Sequence, residues 1–176
     1  KSGTGALADT SPDLINPETI ENWEAGLKGN YLNGALNLSL AAFKYTVTDA
    51  QFDRTIAIPV PPFFTTSVEN AAVTDGQGIE IEGSWLASED FRLDFNGTWY
   101  DISFEEFSTL NVLDPAIILL GTAAVPDNLE GNRPRNTPEY SLGVRGTYTQ
   151  DLTNGGTIDY SAAYAYKGEQ FHTEFN

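Results

Sequence analysis

The chain has 176 residues, of which 40% are hydrophobic and 12% aromatic, and this content excludes a disordered polymer. Its 9 basic against 25 acidic residues give a formal charge of -16, which repels a nucleic-acid backbone, and no basic stripe offsets it. The absence of cysteine excludes disulfides, thiolate metal sites and cysteine nucleophiles and leaves the compartment open. The longest near-continuous apolar run, Ala116 to Val125, is interrupted by Gly121 and Thr122 and closed by Pro115 and Pro126, well short of the ~20 apolar residues a membrane-spanning helix needs. A start at Lys1, without Met or a signal-like segment, reads as a processed or excised piece.

Reading every second residue predicts six strands, because successive side chains of a strand point to opposite faces. In Thr19 to Tyr31, Trp23, Ala25, Leu27 and Tyr31 face one way, and Asn22, Glu24, Lys28 and Asn30 the other. Asn33-Gly34 signals a hairpin. After it Leu36, Leu38, Leu40 and Ala42 oppose Asn37, Ser39 and Ala41, and the apolar parity then changes to Phe43, Tyr45 and Val47, as a bulge or an exit from the buried layer would produce. The third strand sets Ile79, Ile81 and Trp85 against Glu80, Glu82 and Ser84, and the fourth sets Phe91, Leu93, Phe95 and Trp99 against Arg92, Asp94, Asn96 and Thr98. In the fifth, Tyr140, Leu142, Val144 and Tyr148 oppose Glu139, Ser141, Arg145 and Thr147. In the sixth, Ile158, Tyr160, Ala162, Tyr164 and Tyr166 oppose Asp159, Ser161, Ala163 and Lys167.

Short connections at Leu32 to Ala35, Ala87 to Asp90 and Asp151 to Gly156 alternate with long ones at about Phe52 to Asp75 and Glu105 to Thr137. This is the asymmetry of a transmembrane barrel, with short periplasmic turns, long extracellular loops, and strands that alternate apolar outward with polar inward. Trp23, Tyr31, Trp85, Trp99, Tyr148 and Tyr166 fall near strand ends, where interfacial girdles lie. A soluble β-sandwich shares the alternation, but its strands are ordinarily five or six residues long. The expected class is therefore all-β, an antiparallel transmembrane β-barrel meander.

Three stretches carry a resemblance to a known family. They are Asn16-Pro17-Glu18-Thr19 with Trp23-Glu24-Ala25-Gly26-Leu27-Lys28-Gly29; Glu69-Asn70-Ala71 with Gly78-Ile79-Glu80-Ile81-Glu82; and Gly131-Asn132-Arg133-Pro134 with Thr137-Pro138, Leu142 to Tyr148 and, across Asn154-Gly155-Gly156, Tyr164-Ala165-Tyr166. In order and spacing they resemble the C-terminal half of the barrel of TonB-dependent receptors, outer-membrane transporters for siderophores and other scarce nutrients. The resemblance implies that residues 1–176 are part of a barrel of about 22 strands, lacking the plug, the TonB-box segment and the final strands. It further implies as partners the outer-membrane lipid, the plug and remaining strands of the same protein, the TonB complex acting through the missing part, and a small-molecule ligand such as a ferric siderophore. A passive porin shares the lipid-facing pattern but not these three stretches.

Neither an enzyme motif nor a cofactor motif is present. Glu80 and Glu82, roughly 7 Å apart on one face, read as solvated or paired lumen charges rather than an acid and base, together with Glu24, Lys28, Arg92, Asp94 and Arg145. His172 lies near Glu169 and Glu174, and Asp127, Asn128 and Glu130 lie near Gly131, but neither set matches a metal-site pattern. Candidate ligand contacts are the aromatics in or beside the long connections, Phe52, Phe63, Phe64, Phe104 and Phe107, with Pro59, Pro61 and Pro62 stiffening the first connection.

Overall fold

The computed structural model describes residues 15–58, 64–115 and 125–176. Its strands are β1 (Thr19–Tyr31), β2 (Leu36–Ala57), β3 (Phe64–Leu86), β4 (Phe91–Glu106), β5 (Ser108–Thr109), β6 (Asp127–Asn128), β7 (Tyr140–Asp151) and β8 (Thr157–Lys167). Six of them form one antiparallel sheet in the order β1-β2-β3-β4-β7-β8, and β5 pairs with β6. The Asn33-Gly34 turn is tight, with positive φ at Leu32, Asn33 and Gly34, and the other short turns close through the Ser88 hydroxyl and through Gly155.

Residues directly opposite in neighbouring strands share a face, so the register sorts side chains across the sheet. One row runs Leu27, Leu40, Ile81, Gly97, Leu142 and Tyr166; the next row on that face, toward the long connections, runs Ala25, Ala42, Ile79, Trp99 and Tyr140. On this outer face Leu27, Leu40, Ile79, Ile81 and Leu142 are exposed, and Trp23 is 80% exposed. From Phe91 to Trp99 the apolar stretch measures ~27 Å along the strand, or about 20 Å in height at a barrel's usual tilt.

One expectation is corrected, and one of two alternatives is removed. The connection placed at about Phe52 to Asp75 is mostly strand, since β2 continues to Ala57 and pairs with β3 from Phe64 onward. Threonines and other β-branched residues, with Thr55 and Thr66 joined by their hydroxyls at 2.7 Å, hold this extension together where no apolar alternation announces it. Nor is there a bulge at Ala42, because pairing with β3 runs unbroken from Leu36 to Val47. What changes there is which face is apolar: Phe43 and Tyr45 lie on the inner face, while Lys44 takes the outer one between Trp23 and Gln77.

The register does break one step higher. Val47 pairs with Thr74 but Ala50 with Ala72, so Thr48 and Asp49 stand against Val73 alone; a second shift follows between Ala50 and Gln51, and β4 shifts at the same level. Asp49 has φ +56°, a left-handed conformation that aspartate tolerates better than most residues. Above this level a buried cluster of Ala50, Ala72, Phe104, Phe107 and Leu129 forms, with Val47, Phe52, Ala71 and Phe175 packed against it.

Candidate functional site

The inner face carries the polar side chains. Glu24, Lys28, Glu80, Glu82, Arg92, Asp94 and Arg145 all fall on it by register. Asp94 stands opposite both Ser84 and Arg145, and it accepts from Arg92 at 2.7 Å. The Arg92 Nε also donates to the Ser84 hydroxyl at 3.0 Å. Between these rows lies a groove of about 700 Å³, lined by Asn37, Glu82, Ser84, Asp94, Asn96 and Arg145, among others. Gly143 gives the groove its depth, because a Cβ there would collide with the Asn96 side-chain oxygen.

Toward the long connections the same face becomes aromatic. Phe43 and Tyr45 rings lie 6.0 Å apart and nearly parallel, and Tyr100 meets Phe43 edge-on at 5.6 Å. Gly76 and Gly78 make room for them: a Cβ on Gly76 would enter the Tyr45 ring, and one on Gly78 would come within 2.7 Å of both Phe43 and Tyr100. The Tyr100 hydroxyl donates to Glu80 and fixes that carboxylate beside the rings. Sequence reasoning did not single out this trio as a site; the change of apolar parity at Phe43, coinciding with the glycines at Gly76 and Gly78, was the available signal.

Of the loop aromatics, Phe52, Phe104 and Phe107 come together, with ring centres 4.8 to 5.3 Å apart. Phe104 is 1% and Phe107 4% exposed, so both are interior packing of the upper unit. Phe64 opens β3 and is exposed. Phe63, with Pro59, Pro61 and Pro62, lies outside the described residues.

The three sequence stretches that stood out meet at this level, each in a backbone role. The Asn70 amide donates to Asn16 O and Asp49 O and accepts from Asn16 N, while Glu18 accepts from the Gln51 N–H at 2.6 Å. Together they satisfy backbone groups that the register shift leaves without a ladder partner. Asn132 O accepts from Phe104 N, and Gly131 N donates to Phe104 O, extending β4 with a strand-like bridge. Asn132 and Arg133 then grip the segment after β8: Asn132 donates to Glu174 O, and Arg133 exchanges hydrogen bonds with Asn176.

Arg54 pairs with Glu69 at 3.2 Å, Arg133 approaches Asp101 and Glu139, and Arg135 links Asp53 to Glu174. Among the described residues, no group of three or more His, Cys, Asp or Glu side chains is placed to hold a metal. The Asn128 carboxamide oxygen instead accepts from the Glu130 N–H. No helix among these residues is long and apolar enough to cross a membrane, which says nothing of strands that cross as a barrel.

Residues 2–176 match the profile of the family described as TonB dependent receptor-like, beta-barrel. A curated relative, the ferripyoverdine receptor of Pseudomonas aeruginosa, is 36% identical over 81 residues, covering 43% of this chain and 10% of that protein. Among solved structures, the ferric yersiniabactin uptake receptor FyuA from Yersinia pestis superposes with a TM-score of 0.62 at 20% identity over 89% of this chain and 20% of that one. At that identity the superposition speaks for the fold. The chain spans a tenth of the one protein and a fifth of the other.

Proposed function

The chain belongs to the TonB-dependent receptor β-barrel family, and from that premise we propose that residues 1–176 are a section of barrel wall: six consecutive strands of a closed barrel of about 22, in a receptor that imports a scarce nutrient, a ferric siderophore. Members of the family are outer-membrane receptors and transporters, not enzymes, and the outer membrane is the chain's location. The observation that carries the reading is the pair of faces. The outer face is apolar and exposed over a membrane-high band, the inner face is polar and grooved, and among the described residues the six strands form one sheet whose outer side stays exposed, beside only the two-residue β5–β6 pair.

In this reading the inner groove lined by Glu82, Asp94 and Arg145 receives the plug. Glu24, Lys28, Glu80 and Arg92 extend the same lumen surface, and force from the TonB complex reaches the plug through parts of the protein other than this wall. Phe63 and Phe64 contribute to ligand capture at the mouth, and Phe52, Phe104 and Phe107 shape that mouth from beneath. No covalent step occurs, and no resident cofactor is needed. The two siderophore receptors that the chain is similar to support the choice of ligand class.

The test is uptake. A strain lacking the full-length gene is expected to lose accumulation of at least one radiolabelled ferric siderophore and to regain it on complementation only when TonB is present. Accumulation that persists in the deletion across catecholate, hydroxamate and mixed siderophores would remove the siderophore assignment, and transport independent of TonB would remove the receptor mechanism.

A further inference from the structure

We propose that the Phe43, Tyr45 and Tyr100 platform on the inner wall, with the Glu80 carboxylate at its edge, is a subsite for a guanidinium group carried by the solute entering from the long-connection side. The inference rests on the receptor reading and adds a chemical class to it. Three observations converge. The rings are partly exposed on the inner face, and two of them lie nearly parallel over strand positions kept bare by Gly76 and Gly78. Aromatic faces attract cations, and a planar guanidinium both stacks on a ring and offers paired donors. The carboxylate is held in place, because the Tyr100 hydroxyl donates to Glu80 and leaves its remaining lone pairs to accept from a second donor.

Charge complementarity selects the occupant. Glu24 stands beside Phe43 in the neighbouring strand on the same face, so acids flank the platform on two sides. The described arginines of the upper unit are engaged elsewhere: Arg54 with Glu69, Arg133 with Asp101 and Glu139, and Arg135 with Asp53 and Glu174. A carboxylate-bearing or catecholate group would meet Glu80 and Glu24 as like charges, whereas a guanidinium meets both a π face and an acceptor. The platform also lies one row above Trp99 and below the Phe104 cluster, on the long-connection side of the sheet.

The full-length receptor in detergent would be titrated with N-acetyl-arginine amide and, as an uncharged planar isostere, N-acetyl-citrulline amide, with saturation-transfer NMR reading contact. The arginine probe is expected to bind and the citrulline probe to bind several-fold more weakly. Glu80→Gln and Tyr45→Leu should each lower the arginine affinity by roughly three- to tenfold, and Tyr45→Phe should preserve it. Equal binding of the two probes, or binding indifferent to both Glu80→Gln and Tyr45→Leu, overturns the subsite. A loss of thermal stability in Glu80→Gln with no probe contact in the parent also overturns it, by giving the platform to a segment of the receptor itself. Siderophore uptake is measured on the same variants, so a receptor that still transports but ignores the arginine probe fails this inference alone.

Discussion

Below the register shift at Asp49 the sheet hides almost none of its apolar side; above it, the same strands bury Phe104 almost completely. Leu40 and Phe52 lie on one continuous strand, yet Leu40 is exposed on the outer face and Phe52 packs inward against Phe104 and Phe107. The difference is one of solvent. Where lipid bathes the outside, apolar side chains point outward and backbone groups are satisfied by the neighbouring strands. Where water returns on both sides, apolar side chains turn inward and the sheet makes a small soluble-type core; the change begins just below the shift, where Lys44, Gln77 and Asp101 already take the outer face.

The comparison can be broken most severely from the upper side. Phe104→Ala empties the centre of the only large buried cluster among the described residues and should destabilise the upper unit by about 3–5 kcal/mol; limited proteolysis of the full-length receptor is expected to cut between Phe107 and Glu139 first while the barrel stays heat-modifiable in gels. If the whole barrel unfolds with it, the two regions are one cooperative unit. From the lower side, Leu40→Arg places a charge in the outward band and should cost about 2–4 kcal/mol of folding in bilayers. Gln77→Arg, on the same face but above the band, is expected to cost under about 1 kcal/mol, and equal costs would mean that the band ends elsewhere.

At the junction, Asn70→Ala removes the amide that serves Asp49 and Asn16 and should cost about 1–3 kcal/mol, read as faster hydrogen exchange at Gln51 and its neighbours with no change below Lys44. The smallest effect belongs to Arg135→Ala. Arg135 itself is half exposed, and its links to exposed Asp53 and to the more buried Glu174 should together contribute about 0–1 kcal/mol, falling further in high salt.

This contrast also explains what the residues disclosed in advance. Alternation read directly from Leu36 to Ala42 or from Phe91 to Trp99 locates the lipid-bathed strands, because there one face is uniformly apolar. The same rule fails from Gln51 to Ala57 and from Phe64 to Val73, where threonines and charges face water and cross-strand pairing alone makes the strand. Phe104 and Phe107 look like loop aromatics in sequence since nothing local shows that Leu129 and Phe175, far along the chain, will cover them. The Phe43, Tyr45 and Tyr100 platform needs two strands and the glycines of a third to assemble, so it becomes visible only once the register is known.

The paired shifts around Asp49 and Ala71 have a consequence for how such a wall changes over time. Because Asn70 and Glu18 fasten the ladder at that point, hairpin residues can be gained or lost between Gln51 and Asn70 without sliding Leu36 to Val47 against Thr74 to Trp85. The joint works as a ratchet tooth: length variation above it stays above it, so the long connections can change while the apolar pattern of the outer face beneath keeps its phase.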